Sequence, residues 1–218
     1  MQTYRTIEPT APELATLYEI QKSKFITHLQ HVESEDEARA FVTAMKKQYY
    51  DARHNCSAWV LGADARLQKS NDDGEPGGTA GNPILEAIKQ HALTDIVVVV
   101  TRYFGGIKLG AGGLIRAYSH SAVLGLEAAR CVQMTPLAEL RVTIDYSLLA
   151  TVENYLRGQG LSWGEPVYAA DVTLPIHVAP AALSDLLTAL TDLTSARFTY
   201  EKGDETLVPL PVSLKATE

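Results

Sequence analysis

The stretch Ile96–Tyr118, IVVVVTRYFGGIKLGAGGLIRAY, restricts the fold more than any other part of this 218-residue chain. Its first five residues, Ile96 to Val100, are all β-branched and leave no polar position on either face of a pleat. Such a run reads as a strand buried on both sides, inside a sheet and not at its edge. A helical pattern begins after Gly113, and the bend before it contains Gly105, Gly106, Gly110, Gly112 and Gly113. Glycine permits positive φ and close approach of backbone N–H groups to a ligand. Arg102, Lys108 and Arg116 fall in the same strand–loop–helix unit, and no Asp or Glu occurs between Thr101 and Tyr118. With the partial positive charge of a helix start, this reads as a receptor for an anion: phosphate, nucleic-acid backbone or an acidic partner. The structural alternative is that the glycines only let a strand turn tightly into a helix while the cations sit in water.

Apolar residues make up 46% of the chain, enough for one or two domains with real cores. The start, MQTYRTIEPTAPEL, lacks the basic-then-apolar order of a signal peptide. No run approaches the roughly 18 apolar residues needed to cross a bilayer, so the expectation is a soluble cytoplasmic protein with no membrane partner. Cys56 and Cys131 are the two cysteines, which excludes a disulfide framework and a paired-Cys zinc motif. The net charge of −7 is uneven: Lys and Arg against Asp and Glu number 14 to 15 over residues 1–136 and 5 to 11 over 137–218. The acidity therefore sits mainly in the second part, which counts against non-specific coating of nucleic acid and leaves room for a local basic site in the first.

Residues 1–16, with Pro9 and Pro12, read as an extended arm. Phe25–Val32 reads as a strand. Ser34-Glu35-Asp36-Glu37 is a capping box, in which Ser34 accepts from the Glu37 N–H and Glu37 reaches back to the Ser34 N–H. In the helix that follows, Ala38, Phe41, Val42, Met45 and Tyr49 share a face. Cys56–Leu61 and 65–69 suggest a hairpin. Ser70–Gly81 is a glycine-rich loop made acidic by Asp72, Asp73 and Glu75, and Asn82-Pro83 marks an N-cap and first helical position for a short helix to about His91. The helix from about Gly112 to Arg130 has few polar groups and should be largely buried. Beyond Val132–Pro136 the pattern is β (around 140–144), α (149–156), an antiparallel pair (163–168 with 171–178), α from Pro180 and β to about Tyr200, the βαββαβ order of a ferredoxin-like sandwich. The expected division is an arm 1–16, a first domain 17–133, a second domain 137–203 and a tail 204–218.

Two loops of opposite sign, Asp72/Asp73/Glu75 and Arg102/Lys108/Arg116, could meet at one end of a sheet, either as an acidic lid over a basic site or as a plain ion-pair cluster. The acidic spacing fits no calcium loop. A phosphate-binding loop of the Walker type fails because Leu109 follows Lys108, and a dinucleotide fingerprint fails at its third glycine. His54 and Cys56 would share a strand face, but nothing marks a third residue to orient the imidazole, so Cys56 reads as a small core residue. No metal-ligand spacing is present.

The segments KSKF (Lys22–Phe25), ARHNCSAW (Ala52–Trp59), NDDGEPGGTAGNPIL (Asn71–Leu85) and VVVTRYFGGIKLGAGGLIRAY (Val98–Tyr118) closely resemble the YigZ/IMPACT family. The resemblance spans about residues 18–130. It implies a two-domain α+β protein whose first domain is a sandwich like the fourth domain of elongation factor G, with a left-handed crossover where the default is right-handed. The second domain would be a ferredoxin-like βαββαβ sandwich like that factor's fifth domain. It further implies a role in translation, since eukaryotic members regulate it under amino-acid starvation by competing for the activator of a stress kinase. Carried onto this sequence, the binding surface centres on Arg102, Tyr103, Lys108 and Arg116, with Lys24, Arg53 and His54 nearby and Asp72, Asp73 and Glu75 flanking. No catalytic residue, metal or cofactor comes with it.

The expectation is therefore a non-enzymatic, translation-associated protein that meets RNA phosphate, the ribosome or a translation-associated protein through the basic glycine loop, without DNA specificity. Two alternatives stand beside it: a small-molecule phosphate or nucleotide enzyme with Asp72 or Asp73 on magnesium, and a pure protein-interaction module.

Overall fold

A computed structural model describes residues 2–11 and 14–212. Met1, Pro12 and Glu13 of the expected arm, and 213–218 of the expected tail, lie outside the described residues. The described residues divide into two compact units, one of residues 2–134 with 209–212 and one of Thr135–Val208. The fold is mixed α+β with antiparallel sheets.

In the first unit the elements run β1 (Tyr4–Ile7), β2 (Leu14–Ile20), β3 (Ser23–His31), α1 (Glu35–Gln48), β4 (His54–Leu61), β5 (Leu67–Asn71), α2 (Gly81–Gln90), β6 (Ile96–Tyr103) and α3 (Gly110–Ala128). Five strands form an antiparallel sheet in the order β2-β3-β6-β4-β5. The β-branched run is its middle strand, and Ile96 to Val100 are wholly buried. The pleat explains why every position had to be apolar. Ile96, Val98 and Val100 join Phe25, Leu29, Ala58 and the buried residues of α2 and α3 on one face, while Val97 and Val99 meet Trp59, Leu61, Phe41 and Met45 on the α1 face.

Ser34 caps α1 as expected, its side chain accepting from the Glu37 N–H at 3.2 Å. The return contact differs: the Glu37 carboxylate accepts from the Glu33 N–H at 2.7 Å. Helix α3 begins two residues before the expected start. It is buried through Leu114, Ala117, Tyr118, Ser121, Ala122 and Leu126, and the Thr27 hydroxyl of β3 donates to the Ser121 carbonyl at 2.9 Å. Its other side faces outward through Ile115, 43% exposed, Arg116 and His120. Part of the expected arm is ordered: β1 pairs with residues 131–134 of β7 (Cys131–Ile144), and β2 pairs with β3.

In the second unit β7 continues through residues 138–144, followed by α4 (Leu149–Gly158), β8 (Ser162–Trp163), β9 (Val167–Tyr168), β10 (Val172–Val178), α5 (Leu183–Thr194) and β11 (Phe198–Pro211). β10 lies between β7 and the two short strands, and β11 pairs with β7. That is the spatial order of a ferredoxin-like sandwich. Alternate residues Leu140, Val142, Ile144 and Val172, Leu174, Ile176, Val178 pack on Val152, Leu156, Leu186 and Leu190 of the two helices. The last strand runs past Gly203, where the sequence pattern ends, to Pro211. Among the described residues no helix is long and apolar enough to cross a membrane.

Candidate functional site

The end of β6 gathers most of the residues singled out in the sequence. Lys24 stands opposite Tyr103 in the β3–β6 register, and His54 opposite Arg102 in the β4–β6 register. Arg53 immediately precedes β4, and the loop 104–109 leads into α3, which carries Arg116. One sheet end therefore presents Lys24, Arg53, His54, Arg102 and Tyr103, with Lys108 on the loop that leaves it.

The glycines divide by role. A Cβ on Gly105 would lie 2.0–2.3 Å from the backbone of Lys22 and Ser23, so the loop is pressed against the turn between β2 and β3. The Gly105 N–H donates to the buried Ser23 hydroxyl at 3.1 Å, which holds that contact. Gly106 and Gly110 have φ of +84° and +71°, the left-handed region that strains a side-chain-bearing residue. Gly112 and Gly113 lie inside α3 with no such requirement.

Arg102 is not a free cation. Its side chain is 7% exposed, and its guanidinium donates to the Glu75 carboxylate, itself 4% exposed, at 2.6 Å. The same Glu75 oxygen accepts from the Tyr118 hydroxyl at 2.9 Å, and the Cys56 thiol donates to Tyr118 at 3.3 Å. The guanidinium carbon also lies 5.4 Å from the Phe25 ring centroid and 5.7 Å from that of Phe104. An external anion would have to displace Glu75 to reach Arg102. The expected phosphate contact at this residue is thus replaced by a buried pair, because the acidic loop folds its carboxylate under the end of β6.

The acidic loop is knitted in place. Asp72 accepts from the N–H groups of Gly78 (2.8 Å), Ala80 (3.0 Å) and Gly81 (2.8 Å), at the start of α2. Burial pushes its carboxyl up, but the three N–H donors outweigh that and hold it below the usual range. Asp73 pairs with Lys46 and accepts from the Asn55 N–H at 2.7 Å, while its carbonyl accepts from His54 Nδ1 at 2.8 Å. These contacts fasten the loop, where the sequence left a lid open as an option. They also engage the carboxylate oxygens that a magnesium-dependent enzyme would need. His54 turns to Asp73 and not to Cys56, whose thiol burial pushes up to about 12, so no thiolate nucleophile is poised here.

Tyr103 donates to Asp51 at 2.8 Å, and burial together with that carboxylate pushes its phenol up to about 12. Among the described residues Lys24 makes a loose surface contact with Glu19 at 3.5 Å. Lys22, Arg53, Lys108 and Arg116 are exposed and make no ion pair among the described residues. Phe104 is 49% exposed and Ile107 45%. The surface that faces solvent is thus a basic rim around a glycine loop with an open aromatic ring. Sequence reasoning did not single out Phe104, whose apolar side chain resembles a core residue in isolation.

Comparison with known proteins covers both units. Residues 21–126 match the Impact N-terminal domain, and residues 142–197 match a domain of unknown function (DUF1949). The chain is 42% identical over 200 residues to the IMPACT family member YvyE of Bacillus subtilis (strain 168), covering 91% of this chain and 92% of that protein. It is 37% identical over 191 residues to the IMPACT family member YigZ of Escherichia coli (strain K12), covering 85% and 92%. The crystal structure of an hypothetical protein overlaps with a TM-score of 0.59 and 34% identity over 92% of this chain and 97% of that one.

Proposed function

We propose, from the premise that this chain belongs to the IMPACT family, that it is a non-enzymatic translation-associated regulator whose basic rim contacts RNA phosphate or a ribosome-bound partner. The observation that carries this reading is the set of exposed cations without an ion-pair partner among the described residues, Lys22, Arg53, Lys108 and Arg116, at one end of the central sheet. Arg102 belongs to the support beneath that rim. Contacts of this kind are charge-assisted and release counterions, so affinity falls with salt. The translation context comes from the family, whose eukaryotic members regulate translation.

The test compares wild type with Lys108→Glu/Arg116→Glu for binding to ribosomal RNA and for co-sedimentation with ribosomes at two salt concentrations. The variant is expected to bind more weakly, with a slope of log affinity against log salt shallower by about 1 to 2. Equal affinities and equal slopes sink the reading. A second reading, a protein-docking module, is favoured by exposed Ile107 and Ile115 beside the same cations. It predicts capture of a translation factor that neither nuclease nor moderate salt releases.

A further inference from the structure

Phosphate contacts from the basic rim position a nucleic acid but do not read its bases. Phe104 offers a contact of another kind. A lone exposed Phe is ordinary on a protein surface, but this ring is held in place. Arg102 lies over it at 5.7 Å and over the buried Phe25 at 5.4 Å, and Glu75 fixes the guanidinium from the side at 2.6 Å. The next residue, Gly105, is clamped against the turn at Lys22 and Ser23. About half of Phe104, 49%, nevertheless stays open to solvent. The result is a positioned flat apolar surface on a loop that also carries the exposed Lys108. Aromatic side chains stack unpaired bases, whereas an A-form duplex keeps its bases stacked on one another and shows a protein its sugars and phosphates.

Resting on the reading above, we infer that Phe104 is a stacking platform for one unpaired base, and that the site takes single-stranded RNA in preference to duplex. Lys22, which adjoins Gly105, and Lys108, four residues along the loop, supply the phosphate contacts on either side of that base. Arg102 and Glu75 are positioning residues that hold the ring and do not touch the nucleic acid. This also accounts for a buried ion pair directly beneath a binding surface.

The probes are an unstructured RNA strand of about twelve nucleotides, matched to typical single-strand site sizes and carrying one 2-aminopurine, and the same strand in a duplex. Wild type should bind the single strand more tightly and change the 2-aminopurine emission. Phe104→Ala should lower single-strand affinity by roughly ten-fold, abolish that change and leave duplex binding nearly unchanged. Phe104→Trp should retain both properties, and since the side chain is half exposed both variants should melt near the wild-type temperature. Salt-sensitive binding with no single-strand preference and no response to Phe104→Ala overturns this inference and leaves the basic rim standing. Failure of wild type to bind either RNA overturns both.

Discussion

Glu75 and Arg102 show how far the meaning of a charged residue depends on depth. Each is desolvated at a cost of several kcal/mol, and that cost is offset only while the partner, the Tyr118 hydroxyl and the Phe25 ring remain in place. Glu75→Ala leaves a buried guanidinium unpaired and should cost about 3–5 kcal/mol in urea unfolding. Glu75→Ala/Arg102→Met should recover a large part of that loss, and simple additivity in the cycle would show that the pair is not coupled. Two oppositely charged loops were legible in the sequence. Their depth was not, since it depends on Phe25, Phe104 and Tyr118 closing around residues 27 positions apart. Lys108 and Arg116 are exposed and have no ion-pair partner among the described residues.

Among the elements, α2 illustrates a cap that no local pattern reveals. Asn82-Pro83 marks a helix start in the sequence, yet the helix begins at Gly81 after Ala80, which has no capping side chain, and the oxygen that satisfies its first N–H groups comes from Asp72. By contrast Ser34 of α1 was legible because cap and helix adjoin in the chain. Asp72 titrates below its ordinary 3.8 in the folded protein. Its stabilisation is therefore present above 3.8 and is lost as pH falls through the lowered folded value. Asp72→Asn should lower stability near pH 7 by about 1–2 kcal/mol, as loss of a good cap does. The difference from wild type should shrink when urea curves are repeated at acid pH, and a pH-independent difference would contradict the assignment.

Over the whole molecule, each unit has its own apolar core, and both cysteines lie in the first. Burial pushes Cys56 up to about 12 and Cys131 up to about 11, so both thiols stay protonated at neutral pH. Alkylation should be negligible in the folded protein and should follow unfolding of the first unit as urea rises. Leu174→Ala, a truncation in the second core costing about 2–5 kcal/mol, should leave that labelling profile in place. A shifted profile would mean that the two cores do not fold independently. The two-unit architecture was readable from β-branched runs and alternating patterns, which record burial. The extension of β11 to Pro211 was not, because backbone pairing along a largely exposed strand leaves no side-chain signature.

The middle position of β6 also sets an order of manufacture. As the chain leaves the ribosome, β3 is complete at His31 and β4 at Leu61, but the strand that bonds to both arrives only with Ile96–Tyr103. Until then β2-β3 and β4-β5 have no partner along their inner margins, and the last strand of this sheet to be synthesised is the wedge that joins them.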